Sequence, residues 1–317
     1  MGSHLVDKPS GLVSRVCAAG VSLANPSGWG PTLLLTPHDL RRGADPFMLL
    51  GKTNAPLVTE IPARYMNVAL FVPCYIDQFF PDVAIATLEL LEAQGVTVHF
   101  PPSQTCCGQP MANTGCSAEA APVARQFVEM FSGYDAVVCP SGSCVSMVRN
   151  HYGDYFAPDD EQFTQVRDAT FELCEFLVDR LNVREIEGRF PHKVSIHSSC
   201  HGLRELRLGP CSEQQTPREN RLRILLESLA DVEIMPLTRI DECCGFGGTF
   251  AVTERETSVA MGVDRVQDHI AAGSEVMIAG DMSCLMHLQG LISRRKMPLR
   301  VMHIAQALAG RELAPSP

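Results

Sequence analysis

At 317 residues, with 45% hydrophobic and 20% charged side chains, the chain has the balance of one large or two ordinary folded domains and not of a disordered polymer. The formal net charge is −10, and because residues 1–65 hold more basic than acidic side chains, the negative charge belongs to 66–317. Such a body repels nucleic-acid phosphates, and no apolar run approaches the about eighteen residues that a membrane span requires.

Residues 1–65 are rich in Gly, Pro, Ser and Leu and lack periodicity. Met1-Gly2-Ser3-His4 has the form of an expression-vector scar, so 1–65 reads as a leader or vector-derived extension outside the core. The apolar run 16–24 after Arg15 resembles a secretory signal only weakly and has no convincing cleavage pattern. From Met66 the pattern becomes regular. Residues 67–73 form a continuous apolar run, as expected of a strand buried on both faces. A helix follows over 83–94, stopped by Gly95, then a strand over 96–100. A second helix is expected over 118–131 and a third strand over 135–140. Residues 153–192 read as a connector, helical over 163–181. The pattern then repeats: strand 193–197, helix 218–229, strand 232–236, helix 253–272, strand 275–279, and a short closing helix over 302–309. Strands alternating with helices of this length predict βαβ units and parallel sheets. The expected fold is therefore α/β, with two pseudo-symmetric Rossmann-like parallel-sheet halves, a first repeat over 66–152 and a second over 193–317.

The cysteines repeat as well. Cys106-Cys107-Gly108 recurs as Cys243-Cys244-Gly245, each flanked by one cysteine upstream and one downstream. The first set, Cys74, Cys106, Cys107 and Cys144, reads C-x31-CCG-x35-C; the second, Cys200, Cys243, Cys244 and Cys284, reads C-x42-CCG-x38-C. Each position falls just after a predicted strand. In a parallel sheet those strand ends share one edge, so distant cysteines converge there. Thirteen cysteines in a chain of this size, an odd number with two adjacent pairs, point to a reducing compartment such as the cytoplasm. Four converging thiols suit an iron–sulfur cluster, zinc, or free structural or reactive thiols. Zinc sites favour short C-x2-4-C knuckles, which neither set contains. Adjacent cysteines that point apart reach different irons of a bulky cluster more readily than one zinc.

With Gly108-Gln109-Pro110 after the first pair, Ser141-Gly142-Ser143-Cys144, Gly245-Phe246-Gly247-Gly248-Thr249-Phe250 after the second, Ser283-Cys284, and Val301-Met302-His303-Ile304-Ala305, the chain resembles the cysteine-rich, or CCG, domain family over 66–317. That family includes the iron–sulfur subunits of heterodisulfide reductases, of anaerobic glycerol-3-phosphate dehydrogenase and of lactate-oxidising systems, and the last are the most similar. The resemblance implies one iron–sulfur cluster per repeat, four-iron, cubane or non-cubane, ligated by the two cysteine sets. In heterodisulfide reductases a further cysteine lies near the last one; Cys139 lies in that neighbourhood at a different spacing. The implied role is an oxidoreductase subunit that accepts electrons during oxidation of L-lactate to pyruvate, with a ferredoxin-like iron–sulfur subunit and a third subunit as partners. A heterodisulfide-reductase-like thiol/disulfide subunit and a non-redox zinc-binding protein on the same fold are the alternatives.

The remaining candidates carry plainer readings beside the sharper ones. Cys174 reads as a core residue, Cys116, Cys211 and Cys17 as thiols outside the sets, and Cys139 as core packing or an extra ligand. His197 and His201 flank Cys200 and read as loop hydrogen-bonding groups, or as a donor to a cluster sulfur or a proton acceptor beside a substrate hydroxyl. His287 lies one helical turn past Cys284, and His303 packs the closing helix. Arg204 and Arg207 are solvated arginines or a carboxylate clamp. Gly245-Phe246-Gly247-Gly248 lacks the spacing of a nucleotide-binding loop.

Overall fold

The computed structural model describes residues 66–214 and 217–313. The leader, the signal-like run and Cys17 lie outside the described residues. The strands are β1 (Asn67–Leu70), β2 (Thr97–His99), β3 (Ala136–Cys139), β4 (Thr170–Glu172), β5 (Lys193–Ile196), β6 (Glu233–Ile234), β7 (Val276–Ala279) and β8 (Arg300–His303). They form two four-stranded sheets, ordered β2-β1-β3-β4 and β6-β5-β7-β8. Every pairing between them is parallel, for example Val68 beside Ala136 and Val194 beside Val276. The two halves have the same topology.

Burial explains the strand sequences. The central strands β3 (AVVC) and β7 (VMIA) are buried along their whole length, which is why they read as unbroken apolar runs. The edge strands β2 and β6 are short and largely exposed. In the first sheet, Val68, Leu70 and Val138 face a core that is continuous with the second half through Val194, Val276 and Ile278. Ala69, Phe71, Val137 and Cys139 face the opposite side, where Phe127 and Phe131 of the helix Ser117–Phe131 cover them.

Two elements differ from the sequence expectation. The helix expected over 163–181 is interrupted: the helix Glu161–Ala169 ends, β4 follows, and a new helix starts at Leu173. Thr and Phe are weak helix formers, and here their backbone pairs with β3, Val137 beside Thr170 and Cys139 beside Glu172. The Glu172 side chain then caps the next helix by accepting from Cys174 N at 2.7 Å. The closing helix likewise begins at Ile304 and not at 302, because Met302 and His303 complete β8. His303 Nδ1 accepts from Ala305 N at 3.1 Å, the same device at the equivalent place.

The helices that follow the fourth strands lock the halves together. The helix Ile304–Leu308 packs on Pro81–Ala93 of the first half, and Gln306 Nε2 donates to Asp82 at 2.9 Å. The helix after β4 packs in turn on Arg221–Glu227 of the second half, with Arg221 bonded to Asp179 at 3.0 Å. Among the described residues no helix is long and apolar enough to cross a membrane.

Candidate metal centres

The eight cysteines stand where the strands hand over to loops and helices. Cys74 opens the helix Cys74–Phe79 after β1, and Cys200 precedes the turn His201–Glu205 after β5. Cys106 and Cys107 lie between β2 and the helix Gln109–Asn113; Cys243 and Cys244 lie between β6 and the helix Phe250–Thr253. Cys144 sits in the helix Gly142–Ser146 after β3, and Cys284 in the first turn of Met282–Arg295 after β7.

The fold brings each set into a row. In the first, Cys74 contacts Cys106, Cys106 contacts Cys107, and Cys107 contacts Cys144 through their thiols. In the second, Cys200 contacts Cys243, Cys243 contacts Cys244, and Cys244 contacts Cys284. The burial gradient is shared: Cys107, Cys144, Cys244 and Cys284 are buried, while Cys106, Cys200 and Cys243 are partly open and Cys74 is exposed. All the described cysteines are free. Cys139, whose counterpart is Ala279, adds a fifth thiol in contact with Cys144.

Each row holds one thiol primed as a thiolate. Hydrogen bonds from Cys107 and Cys74, with Gly108 N at 3.3 Å, lower Cys106 to about 3. Hydrogen bonds from Cys200 and Cys244, with Gly245 N at 3.3 Å, lower Cys243 to about 2. Cys74 and Cys200, the donors at the open ends, are raised, chiefly by those same bonds. Phe246 N lies 3.5 Å from Cys244 Sγ. Soft, mutually touching sulfurs with backbone N–H donors aimed at them fit a thiolate-bound metal centre in each half.

Both CCG glycines turn the chain through the left-handed region, φ +82° at Gly108 and +83° at Gly245. Their surroundings differ. A Cβ on Gly108 would meet nothing closer than 3.7 Å, whereas on Gly245 it would lie 2.6 Å from the Ser258 carbonyl oxygen and 2.8 Å from Met261 Cβ. Gly108→Ala is therefore expected to cost about 1–2 kcal/mol, from backbone strain alone. Gly245→Ala adds overpacking of a further ~1–3 kcal/mol. Urea unfolding of the two metal-free variants should rank them in that order, and equal losses would remove the steric argument.

Side chains outside the cysteine sets brace the rows. Gln104 Oε1 accepts from Val72 N at 2.7 Å and its amide donates to Leu70 O at 3.2 Å, tying the loop before Cys106 to the strand end before Cys74. Tyr75 Oη reaches Ser141 Oγ at 2.9 Å and donates to Asp281 Oδ1 at 3.3 Å. Asp281 also accepts from Ser143 N at 2.7 Å, in the other half. Gln109, after the first CCG, lies 3.5 Å from His201, beside Cys200. The residues next to the two rows thus touch across the junction of the halves. Asp281, Ser141 and Gln104 escaped the sequence reading. The matched Ser141-Gly142-Ser143-Cys144 and Asp281-Met282-Ser283-Cys284 were the available signal for the first two.

Other candidates settle differently. His197 is fully buried behind the second row, with a ring nitrogen, Cys244 Sγ and Cys284 Sγ all within 4.8 Å of one another. His287 Nε2 is buried beside the Cys244 backbone. His201 lies 3.9 Å from Glu205, and His303 caps the closing helix. Arg204 is engaged by Glu213 at 2.7 Å and by the Asp241 carbonyl, so its guanidinium is not free to clamp a carboxylate. Arg207 occupies a left-handed turn, φ +58°, and its carbonyl accepts from Arg221. Cys174 is in the core, Cys116 is exposed, and Cys211 donates to Glu213 at 2.8 Å.

The profile of the family described as "CCG: Cysteine-rich domain" matches residues 68–149 and 194–289, one match on each half. The chain belongs to the cysteine-rich CCG domain family. Its relatives include proteins named Lactate utilization protein A. That of Exiguobacterium sp. is 41% identical over 248 residues, covering 76% of this chain and 96% of the relative. That of Anoxybacillus flavithermus is 39% identical and that of Geobacillus thermodenitrificans 40%, each covering 78% of this chain and all of the relative. The two stretches matched by the CCG profile hold all eight cysteines of the two rows.

Proposed function

We infer that this protein is an iron–sulfur electron-transfer subunit of a system that oxidises L-lactate to pyruvate. The observation that carries this is the duplication of a four-thiol row, each with a backbone N–H on the sulfur of its first CCG cysteine. Cys74, Cys106, Cys107 and Cys144 would hold one cluster, and Cys200, Cys243, Cys244 and Cys284 the other. A row of four sulfurs, each touching the next, suits a four-iron cluster ligated at separate irons better than one tetrahedral zinc. Bound clusters would supply one-electron acceptance, which the side chains of this chain lack. The protein supplies the rest: buried inner cysteines that exclude water, N–H groups that neutralise sulfur charge, and two Rossmann-like halves that hold the rows on either side of one junction.

The lactate assignment is supported by the relatives' name. In this reading the chain works in the cytoplasm with a ferredoxin-like iron–sulfur subunit and a third subunit, because removing hydride from lactate ordinarily needs an organic acceptor. Iron and acid-labile sulfide, measured on anaerobically prepared protein together with its absorption spectrum, test the centres. A colourless preparation with stoichiometric zinc would end the cluster reading. For the substrate, lactate-dependent dye reduction by the reassembled subunits should be lost when this chain is omitted. Undiminished activity without it would overturn the role.

A further inference from the structure

The two rows are alike, but the layers behind them are not. Behind the first, Phe71 lies three residues before Cys74 and stacks edge-on against Phe127 and Phe131, with centroids 4.9 and 5.6 Å away. Behind the second, His197 lies three residues before Cys200. The covering helices align through the CCG glycines: Gly108 faces Ala120 and Val123 as Gly245 faces Ser258 and Met261. That register sets Phe127 opposite Arg265 and Phe131 opposite His269. The contacts repeat accordingly. Arg265 Nε donates to His197 Nδ1 at 3.2 Å, and the His197 and His269 rings lie 6.2 Å apart. Ser195 Oγ, where the first half has Ala69, lies 2.6 Å from His269 Nδ1. An apolar aromatic triad in one half is thus a buried His–Arg–His triad in the other.

Burying an arginine and two histidines in place of three phenylalanines costs stability, so the substitution needs a reason beyond packing. The hydrogen bond supplies one. Arg265 is always a donor, so His197 Nδ1 is the acceptor, and the proton of the neutral ring is on Nε2. That Nε2 is fully buried and has no hydrogen-bond partner among the described residues, and a ring nitrogen of His197 lies within 4.8 Å of the sulfurs of Cys244 and Cys284. With its proton on Nε2 the ring can donate to a sulfur through that nitrogen but cannot ligate a metal with it. Arg265 Nη2 has no hydrogen-bond partner among the described residues; its guanidinium acts on Cys244 as well as on Asp268, bonded to Nη1 at 3.0 Å, and Glu242. Arg204 stands near Cys200 on the open side. At the equivalent places the first half has the uncharged Phe71, Phe127 and Phe131; near Cys139 lie Asp281 and Glu172, the latter's carboxyl pushed up to about 8 by burial.

We propose that His197, held by Arg265, is an N–H donor to the sulfurs of the second centre, and that with the Arg265 charge it makes that centre the more readily reduced of the two. The proposal rests on the cluster reading above. Hydrogen bonds to sulfur and nearby positive charge both stabilise the reduced, more negative cluster. Electrons delivered to the chain therefore collect in the second half.

The test is a redox titration, followed by electron paramagnetic resonance, of the anaerobically loaded full chain. Cys107→Ser and Cys244→Ser preparations, each keeping one centre, assign the signals. The second centre should titrate at the higher potential. His197→Phe, which imports the first half's residue, should shift only that centre to lower potential. His197→Gln, whose carbonyl takes the Arg265 N–H and whose amide donates, should restore most of the shift. A second centre that titrates at or below the first, or that ignores His197→Phe, overturns the proposal. In the metal-free wild-type chain, ¹⁵N shifts should place the His197 proton on Nε2; a proton on Nδ1 overturns the pairing whatever the variants do. A wild-type chain that takes up no iron defeats the cluster reading instead, and the tautomer then decides the pairing alone.

Discussion

Cys244→Ser is expected to leave the chain with about half its iron, all of it in the first half. Cys244 is 3% exposed and sits in the middle of its row, between Cys243 and Cys284. A serine hydroxyl is a harder donor with a shorter reach than a thiolate, and iron–sulfur centres select sulfur. Nothing in the first row depends on this residue, since Cys74, Cys106, Cys107 and Cys144 contact one another and not the second set. Iron and sulfide per chain, with the visible absorbance, measure the outcome. Loss of all iron would mean that the halves load as one cooperative unit and not as two sites.

Asp281→Ala should be the most destabilising single change at the junction, at about 1–3 kcal/mol for each buried donor it orphans. The Asp281 side chain is fully buried and accepts from Ser143 N at 2.7 Å, Ser283 N at 3.1 Å, Ser283 Oγ at 2.6 Å and Tyr75 Oη at 3.3 Å. Two of these donors belong to the first half and two to the second, so one carboxylate ties the halves where Ser141 and Asp281 form an isolated antiparallel bridge. Alanine would leave buried N–H groups without an acceptor, which costs more than the bonds themselves contribute. Asp281→Asn keeps one carbonyl acceptor and should lose less. Urea unfolding of the metal-free variants checks both. A loss below about 1 kcal/mol for the alanine variant would show that water or rearrangement satisfies these donors. Ser143 and Ser283 immediately precede Cys144 and Cys284, so the same substitution should loosen both rows and lower iron uptake in each half.

Much of the site can be read along the chain because its signal is local and redundant. Two CCG triplets, each flanked by cysteines after apolar strand runs, single out the eight thiols along the chain. The parallel sheets follow from the same runs: strands covered on both faces, such as AVVC and VMIA, have no reason to alternate. β4 was not legible. Three residues embedded in a helical pattern become a strand only because β3 offers backbone partners beside them. The Arg204 clamp failed for a related reason, since its carboxylate partner, Glu213, is supplied by a loop whose path the sequence does not reveal.

The CCG pairs first attract notice as adjacent cysteines, yet no pair makes a row by itself. Residue types and their order along the chain already specify the eight thiols and the repeat, because thiolate chemistry depends on identity. Folding decides what each row touches, because that depends on which helix turn lies over which strand end. The one-residue difference in how the two covering helices follow their glycines is invisible to simple spacing. It is what sets Phe127 and Phe131 over one row and Arg265 and His269 over the other. Two sites written alike in sequence therefore become unlike in their polar surroundings, through residues that bear no mark of function until the helices are packed.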